Sequence, residues 1–192
     1  MKKSLRIALK KVRAIKSKQE ALTHSNLIVS RIVTLLQTVQ PCIVAIYYPH
    51  SGEPNLLSLT QRPELQKFEW AFPVCSFDQN LKVLRFARFS GFDAFEIGEY
   101  GIPVPSGANW VQPDWVIIPS LALNSQGFRL GYGAGWYDRT LNELTQLDLK
   151  PVTVGITWQE ALISDLFQEP HDQAVDYVVT PMSFIHVKKE RT

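Results

Sequence analysis

Between Arg129 and Leu141 the chain reads RLGYGAGWYDRTL, with glycines at the alternate positions 131, 133 and 135, arginines on both sides, and Trp136, Tyr137 and Asp138 close behind. Glycine lacks a Cβ, so it takes up positive φ without penalty and lets a ligand approach the main chain. The helix expected just beyond turns its unpaired N–H groups back toward the loop. Bare backbone at such a point is a cradle for anions. Arg129 adds a guanidinium suited to bidentate phosphate contact. Asp138 beside a polyphosphate is repulsive unless a cation lies between them, so phosphate and Asp138 together imply Mg²⁺. A plainer reading stays open for each feature: a tight loop feeding a helix, and a first-turn carboxylate worth roughly 0.3–1 kcal/mol against the helix dipole. Spacing excludes two familiar phosphate loops, because GxxxxGK[ST] is absent and GYGAGW lacks the third glycine of GxGxxG.

Other groups invite the same question. Lys2, Arg6 and Arg13 are separated by four and seven residues, which places them on one stripe of a helix. That stripe reads as a solvated face, as a triphosphate clamp, or as a nucleic-acid backbone contact. The chain lacks an RNP-like aromatic motif, a zinc-finger spacing and a broad basic excess, which weakens the third reading. Glu53 follows an apolar strand-like run, in the loop PHSGEPN, where open α/β sheets gather their ligands. It reads equally as a turn residue before Pro54. Tyr48, at the end of that run, reads as core edge or ligand platform. His171 and Asp172 stand in the loop QEPHD, a solvated loop or a second metal contact. His24, His50 and His186 have no partner at metal-ligand spacing and are expected at the surface. Ser120 lacks the G-x-S-x-G elbow of a hydrolase nucleophile.

Elements must position these residues. Leu5, Ala8, Val12 and Ile15 recur at helical spacing, and a second periodic run spans Asn26 to Val39 after a polar break from Thr23 to Ser25, so two helices open the chain. CIVAIYY is a buried strand. FEWAFPVC and LKVLRFARF flank the turn-like SFDQN as a strand pair. Ser90 to Asp114, rich in glycine and proline, is expected to be a long irregular excursion. WVIIP and VTVGIT are further strands, Tyr137, Leu141 and Leu144 mark a helix between them, and DYVVT closes the sheet. Apolar strands alternating with helices predict an α/β fold with a mainly parallel sheet covered on both faces.

With 192 residues the chain is expected to form one domain. Its net charge is only +2, yet Lys2, Lys3, Arg6, Lys10, Lys11, Arg13, Lys16 and Lys18 all precede the first acid, Glu20, which makes a local positive field. Cys42 and Cys75 share no metal-type spacing and are expected to be reduced thiols of a cytoplasmic protein. No secretory signal or membrane span is expected, since the early run LIVSRIVTLL is cut by Arg31.

RLGYGAGWYDRTL resembles the R-x-G-x-G-x-G-aromatic-Tyr-Asp motif of 5-formyltetrahydrofolate cyclo-ligases, also called methenyltetrahydrofolate synthetases. KKSLR at the start, YYPHSGEPN after the first strand and EPHD before the last are similar to that family's other elements, in the same order. The resemblance implies a three-layer α/β/α sandwich. It also implies ATP- and Mg²⁺-dependent conversion of 5-formyltetrahydrofolate to 5,10-methenyltetrahydrofolate, with release of ADP and phosphate after phosphorylation of the formyl oxygen. ATP contacts are implied for Lys2, Lys3, Ser4, Leu5 and Arg6, and for Arg129, Leu130, Gly131, Tyr132, Gly133, Ala134, Gly135, Trp136 and Tyr137. Folate contacts are implied for Tyr48, Glu53, Tyr132, Gly133, Ala134, Gly135 and Trp136, with Mg²⁺ near Asp138 and Asp172. Arg129 would neutralise the transferring group, and Gly133 would let the two substrates meet. Ala134 stands where relatives often have glycine or lysine, Trp136 where tyrosine is common, and GIPVP, Gly101 to Pro105, is assigned no role. The expected partners are reduced folate and ATP, with no nucleic acid and no membrane, and the chain is expected to be a monomer. Two rivals remain: a nucleotide- or RNA-binding module without catalysis, and a Rossmann-like oxidoreductase, which the glycine spacing and the lack of an acid ending VTVGIT disfavour.

Overall fold

Apolar runs too short to stand alone find their stability side by side. In a computed structural model, which describes residues 2–78, 81–107, 109–166, 169 and 172–187, β1 (Ile43–Ala45) runs parallel to β2 (Glu69–Asp78) on one side and to β7 (Trp115–Pro119) on the other. β7 is parallel to β10 (Val152–Ile156), and β10 to β11 (Tyr177–Val179). Antiparallel strands finish both sides: β3 (Leu81–Arg88) and then β6 (Trp110–Val111) beyond β2, and β12 (Phe184–His186) beyond β11. DYVVT therefore does not close the sheet. The chain turns back at Pro181–Ser183, and β12 pairs its outer side.

Strands buried on both faces need a layer on each. On one face, α2 (Lys18–Gln37) packs Ile28, Val29, Ile32 and Leu36 against Val44, Ile46, Trp70, Phe72, Ile117 and Ile156. On the other, α3 (Trp136–Gln146) packs Leu141 and Leu144 against Ala45, Ala71, Leu84, Phe86, Val116 and Ile118. The result is the expected three-layer α/β/α arrangement. α1 (Lys2–Ala14) belongs to neither layer. Its Leu5 and Leu9 rest on Ala122, Leu130, Ala161 and Leu166, so it caps the small ribbon of β8 (Ala122–Leu123) and β9 (Arg129–Leu130) that follows the carboxyl end of β7.

Three local expectations need correction. The second helix begins at Lys18, eight residues before Asn26, because Ser17 caps it by accepting from the Glu20 N–H at 3.1 Å. The supposed break at Thr23 to Ser25 lies inside the helix, where Thr23 satisfies its hydroxyl on Gln19 O at 3.0 Å. Ser25 is buried and accepts from Asn55 N–H. In SFDQN, Ser76, Phe77 and Asp78 extend β2 in register with β3, while Gln79 and Asn80 lie outside the described residues. The Ser90 to Asp114 segment is more built than expected. β4 (Phe95–Ile97) and β5 (Pro103–Pro105) pair antiparallel, and Phe92 and Phe95 bind this ribbon to Phe72 and Phe89 with ring centroids 4.8–6.0 Å apart. Cys42 and Cys75 are free thiols, half-buried. Among the described residues no helix is long and apolar enough to cross a membrane.

Candidate active site

A cavity of about 290 Å³ opens at the carboxyl ends of the parallel strands. Tyr47 and Tyr48 reach it from the end of β1, Pro119 from β7, Pro73 and Cys75 from β2. The glycine loop, from Gly131 into α3, forms a second wall, and Glu99 to Val104 a third. Tyr48 and Pro103 also line an adjoining groove of about 580 Å³, so the two spaces meet at those residues.

Helix α1 turns its charged stripe inward. Arg13, 6% exposed, donates from one nitrogen to the Tyr132 hydroxyl at 2.7 Å and from the other to Ser120 O at 2.8 Å. Arg6 Nε donates to Gly131 O at 2.8 Å. Lys2 Nζ lies 3.0 Å from Asp172 and 3.2 Å from Glu169. All three long cations therefore bond to the protein's far half, and a merely solvated face does not describe them. Leu5 serves the apolar contact below, whereas Lys3 and Ser4 are exposed.

The loop itself differs from the simplest expectation. Gly133 has φ +105° and Gly135 φ +67°, but Gly131 has no positive φ and open space where a Cβ would stand. Gly135 is the left-handed N-cap of α3, and no side chain caps that helix end. Its first-turn N–H groups point back along the axis toward the cavity wall. Arg129 sits beneath, buried, paired with Asp138 and donating to Gln173 O at 2.7 Å. Burial pushes its guanidinium pKa down, while Asp138 and Asp172 act to keep it charged. The fork that the sequence offers to phosphate is thus largely satisfied by the protein.

Glu53 accepts from the His50 N–H at 2.9 Å and lies beside the Tyr132 hydroxyl. Burial raises its carboxyl to about 7, against the opposing pull of the His50 amide, Arg13 and Tyr132. Burial likewise drives the phenols of Tyr132 and Tyr137 upward, so both are neutral donors at neutral pH. Tyr48 packs against Phe95 at 5.9 Å, and Trp136 meets Tyr100 edge-on at 6.5 Å. Leu130 is buried, and Ala134 lines the cavity.

Asp138 and Asp172 each hold a cationic side chain, and no group of three or more His, Cys, Asp or Glu suited to a metal occurs among the described residues. Such a donor set suits Mg²⁺ that arrives with phosphate oxygens and water, since that ion commonly takes one or two carboxylates plus substrate. It is not a self-sufficient metal cage. His171 lies outside the described residues.

Sequence reasoning overlooked Glu99, Tyr100, Ile102, Pro103 and Val104, which form the third wall. Glycine and proline there signalled a functional excursion, but GIPVP carried no chemical group to mark it. His50 is exposed, as expected, and also borders the cavity.

A sequence profile of the 5-formyltetrahydrofolate cyclo-ligase family matches residues 1–181. The chain is 25% identical over 177 residues to a 5-formyltetrahydrofolate cyclo-ligase of Haemophilus influenzae, covering 89% of this chain and 92% of that protein. It is 36% identical over 70 residues to the Mycolicibacterium smegmatis protein of that name, a match that spans 34% of the relative's length. The solved 5,10-methenyltetrahydrofolate synthetase of Aquifex aeolicus superposes with a TM-score of 0.82 at 26% identity, covering 100% of this chain and 95% of that one.

Proposed function

Because the chain belongs to the 5-formyltetrahydrofolate cyclo-ligase family, we propose that it closes 5-formyltetrahydrofolate to 5,10-methenyltetrahydrofolate at the expense of ATP. One observation carries the reading to this site: the glycine loop and the uncapped start of α3 face the cavity that Glu53 and Tyr48 also line. Anion donors and a pocket with a half-buried carboxyl thus share one space.

The chemistry explains why both are needed. A formamide carbon is a poor electrophile, and its oxygen a poor leaving group. Transfer of the γ-phosphoryl of ATP to the formyl oxygen expels ADP and leaves an iminium-like carbon. The neighbouring arylamine nitrogen then adds to that carbon and gives up its proton. Cleavage of the C–O bond releases phosphate and leaves the methenyl cation. Such a transfer is catalysed by alignment and by cations and backbone donors aimed at the developing charge. Arg129, Lys2 and Arg6 would supply charge by exchanging protein partners for phosphate, and the Gly131 to Tyr137 backbone would supply donors. Glu53, with its raised carboxyl, would receive the amino-pyrimidine edge of the pterin. Asp138 and Asp172 would hold Mg²⁺ brought in with ATP, whose chemistry is to neutralise the β- and γ-phosphate oxygens.

We place the reaction in the cytoplasm, where the two free thiols stay reduced, and assign it to one domain acting as a monomer. The inward stripe of α1 counts against an RNA-binding module, because Lys2, Arg6 and Arg13 are already bonded within the protein. Purified protein mixed with 5-formyltetrahydrofolate and Mg·ATP should build methenyl absorbance, and omission of any component should stop it. Oligonucleotide binding without such turnover would favour the module instead.

A further inference from the structure

The loop from Gly131 to Tyr137 contains no basic residue, so what it offers an anion is its backbone. Arg139, which the sequence left without a role, grips that backbone. Its NH2 donates to Ala134 O at 2.6 Å, and its Nε donates to Lys82 O at 2.7 Å, near the start of β3. The guanidinium carbon lies 5.8 Å from the centre of the Trp136 ring. A Cβ at Gly135 would stand 2.7 Å from Arg139 NH1, so the absence of a side chain at 135 is what lets the guanidinium close over the turn. At the loop's other end, Arg6 holds Gly131 O in the same way.

A trans peptide is planar, with its C=O and N–H pointing in opposite directions, and no cis bond occurs here. Fixing the carbonyl of residue 134 therefore fixes the N–H of Gly135 on the opposite side. Ala134 and Gly135 both line the cavity, whereas Arg139, on α3, does not, and its guanidinium spans from the Ala134 carbonyl to Lys82 O at the start of β3. Flipping the Ala134–Gly135 peptide rotates ψ of Ala134 and φ of Gly135, and glycine at 135 offers little steric resistance on its side. Flipped, it would aim a carbonyl at the bound anion, and attraction would become repulsion.

We propose that Arg139 is a positioning residue: with Arg6 at the other end, it straps the Ala134–Gly135 peptide so that the Gly135 N–H faces the phosphates of the nucleotide. The inference rests on the phosphate-binding reading of this loop but not on folate chemistry.

The test titrates the full chain with inorganic tripolyphosphate, reading affinity by calorimetry and the Gly135 amide by ¹⁵N NMR. In the wild type the Gly135 amide should shift on binding. Arg139→Ala should bind about tenfold more weakly, lose that shift, and melt within a few degrees of the wild type. Arg139→Lys keeps the charge but cannot bridge two carbonyls, so it should stay near the alanine variant. Full recovery by lysine would mean that charge alone matters and would overturn the proposal. So would equal affinity of wild type and Arg139→Ala. Should the alanine variant fail to fold, Arg139→Gln makes the same comparison. Tripolyphosphate binding without methenyl formation would defeat the proposed function while leaving this inference standing. No tripolyphosphate binding by the wild type would defeat this inference, while the methenyl assay decides the proposed function separately.

Discussion

The guanidinium of Arg13 and the phenol of Tyr132, 119 positions apart, meet at 2.7 Å, and the same hydroxyl reaches toward Glu53. This contact joins the first helix, the glycine loop and the loop after β1 around one polar atom. Tyr132→Phe removes that atom, leaving a 6%-exposed guanidinium short of an acceptor. Loss of one partner of a buried charged hydrogen bond costs about 2 kcal/mol, which in a chain of this size lowers Tm by roughly 4–8 °C. Thermal melts of the two proteins measure it, and equal Tm values would show that the contact stabilises nothing.

Glu53 gives the fold a pH dependence of defined sign. Burial raises its carboxyl to about 7, so between the ordinary carboxylate range and that value the native state holds a proton the unfolded chain has released. Stability should fall as pH rises through this window and level off above it. Glu53→Gln cannot ionise, so its urea midpoint should be flatter between about pH 5 and about pH 8, and higher than the wild type's at the upper end. The same substitution should raise the KM for folate far more than that for ATP. Parallel pH slopes in the two proteins would contradict the buried-acid assignment.

What the sequence revealed and what it hid follow from range. Strand runs such as WVIIP and VTVGIT were legible because apolar content along a few residues is a local signal. The start of α2 was not, because Thr23 and Ser25 look like a break until Gln19 O and the Asn55 N–H are found to satisfy them. Within the site, Arg129 and Asp138 stood out by type, nine residues apart. That they bond to each other depends on how β9 meets α3, which no spacing records. The Glu99 to Val104 wall is mostly apolar and its β5 segment is only three residues long, so its role shows only where it borders the cavity.

The glycines separate ligand approach from backbone strain. Gly133 has φ +105°, so any side chain there strains the main chain, and loss of turnover in Gly133→Val would mix two causes. Gly131 has no positive φ and nothing within 4 Å of where its Cβ would stand. Gly131→Ala should therefore fold at least as stably as the wild type, with a gain of up to about 1 kcal/mol from the stiffer unfolded chain. Turnover should nevertheless fall by about tenfold or more, because the new methyl occupies the space where substrates approach. Steady-state kinetics beside a urea melt reads both effects, and unimpaired kinetics would move the substrates away from this residue.

Asp138 has a structural share that can be measured without nucleotide. Its partner Arg129 has a side chain only 5% exposed, whereas Asp138 is 30% exposed. Asp138→Asn strands a buried guanidinium, although Gln173 O and the nearby Asp172 still favour its charge. Breaking a fully buried pair costs roughly 3–5 kcal/mol. Here the solvent-facing side of Asp138 brings the expectation to about 2 kcal/mol in the ligand-free melt. An unchanged midpoint would mean that Asp138 is free to serve a ligand at no structural cost.

Metal removal tests whether Mg²⁺ is resident or carried. Lys2 and Arg129 already neutralise Asp172 and Asp138, and no larger acidic cluster occurs among the described residues. A divalent ion held by two such carboxylates lacks the further oxygens it requires until phosphate supplies them. EDTA should therefore leave the Tm of the nucleotide-free protein unchanged while abolishing turnover. Adding ATP with excess Mg²⁺ should raise Tm, because binding linked to folding stabilises the native state by about 2.7 kcal/mol at a hundredfold excess over Kd. ATP with EDTA should raise it far less. A Tm that drops on EDTA treatment of the nucleotide-free protein would reveal a resident ion and displace the view that the metal enters with the nucleotide.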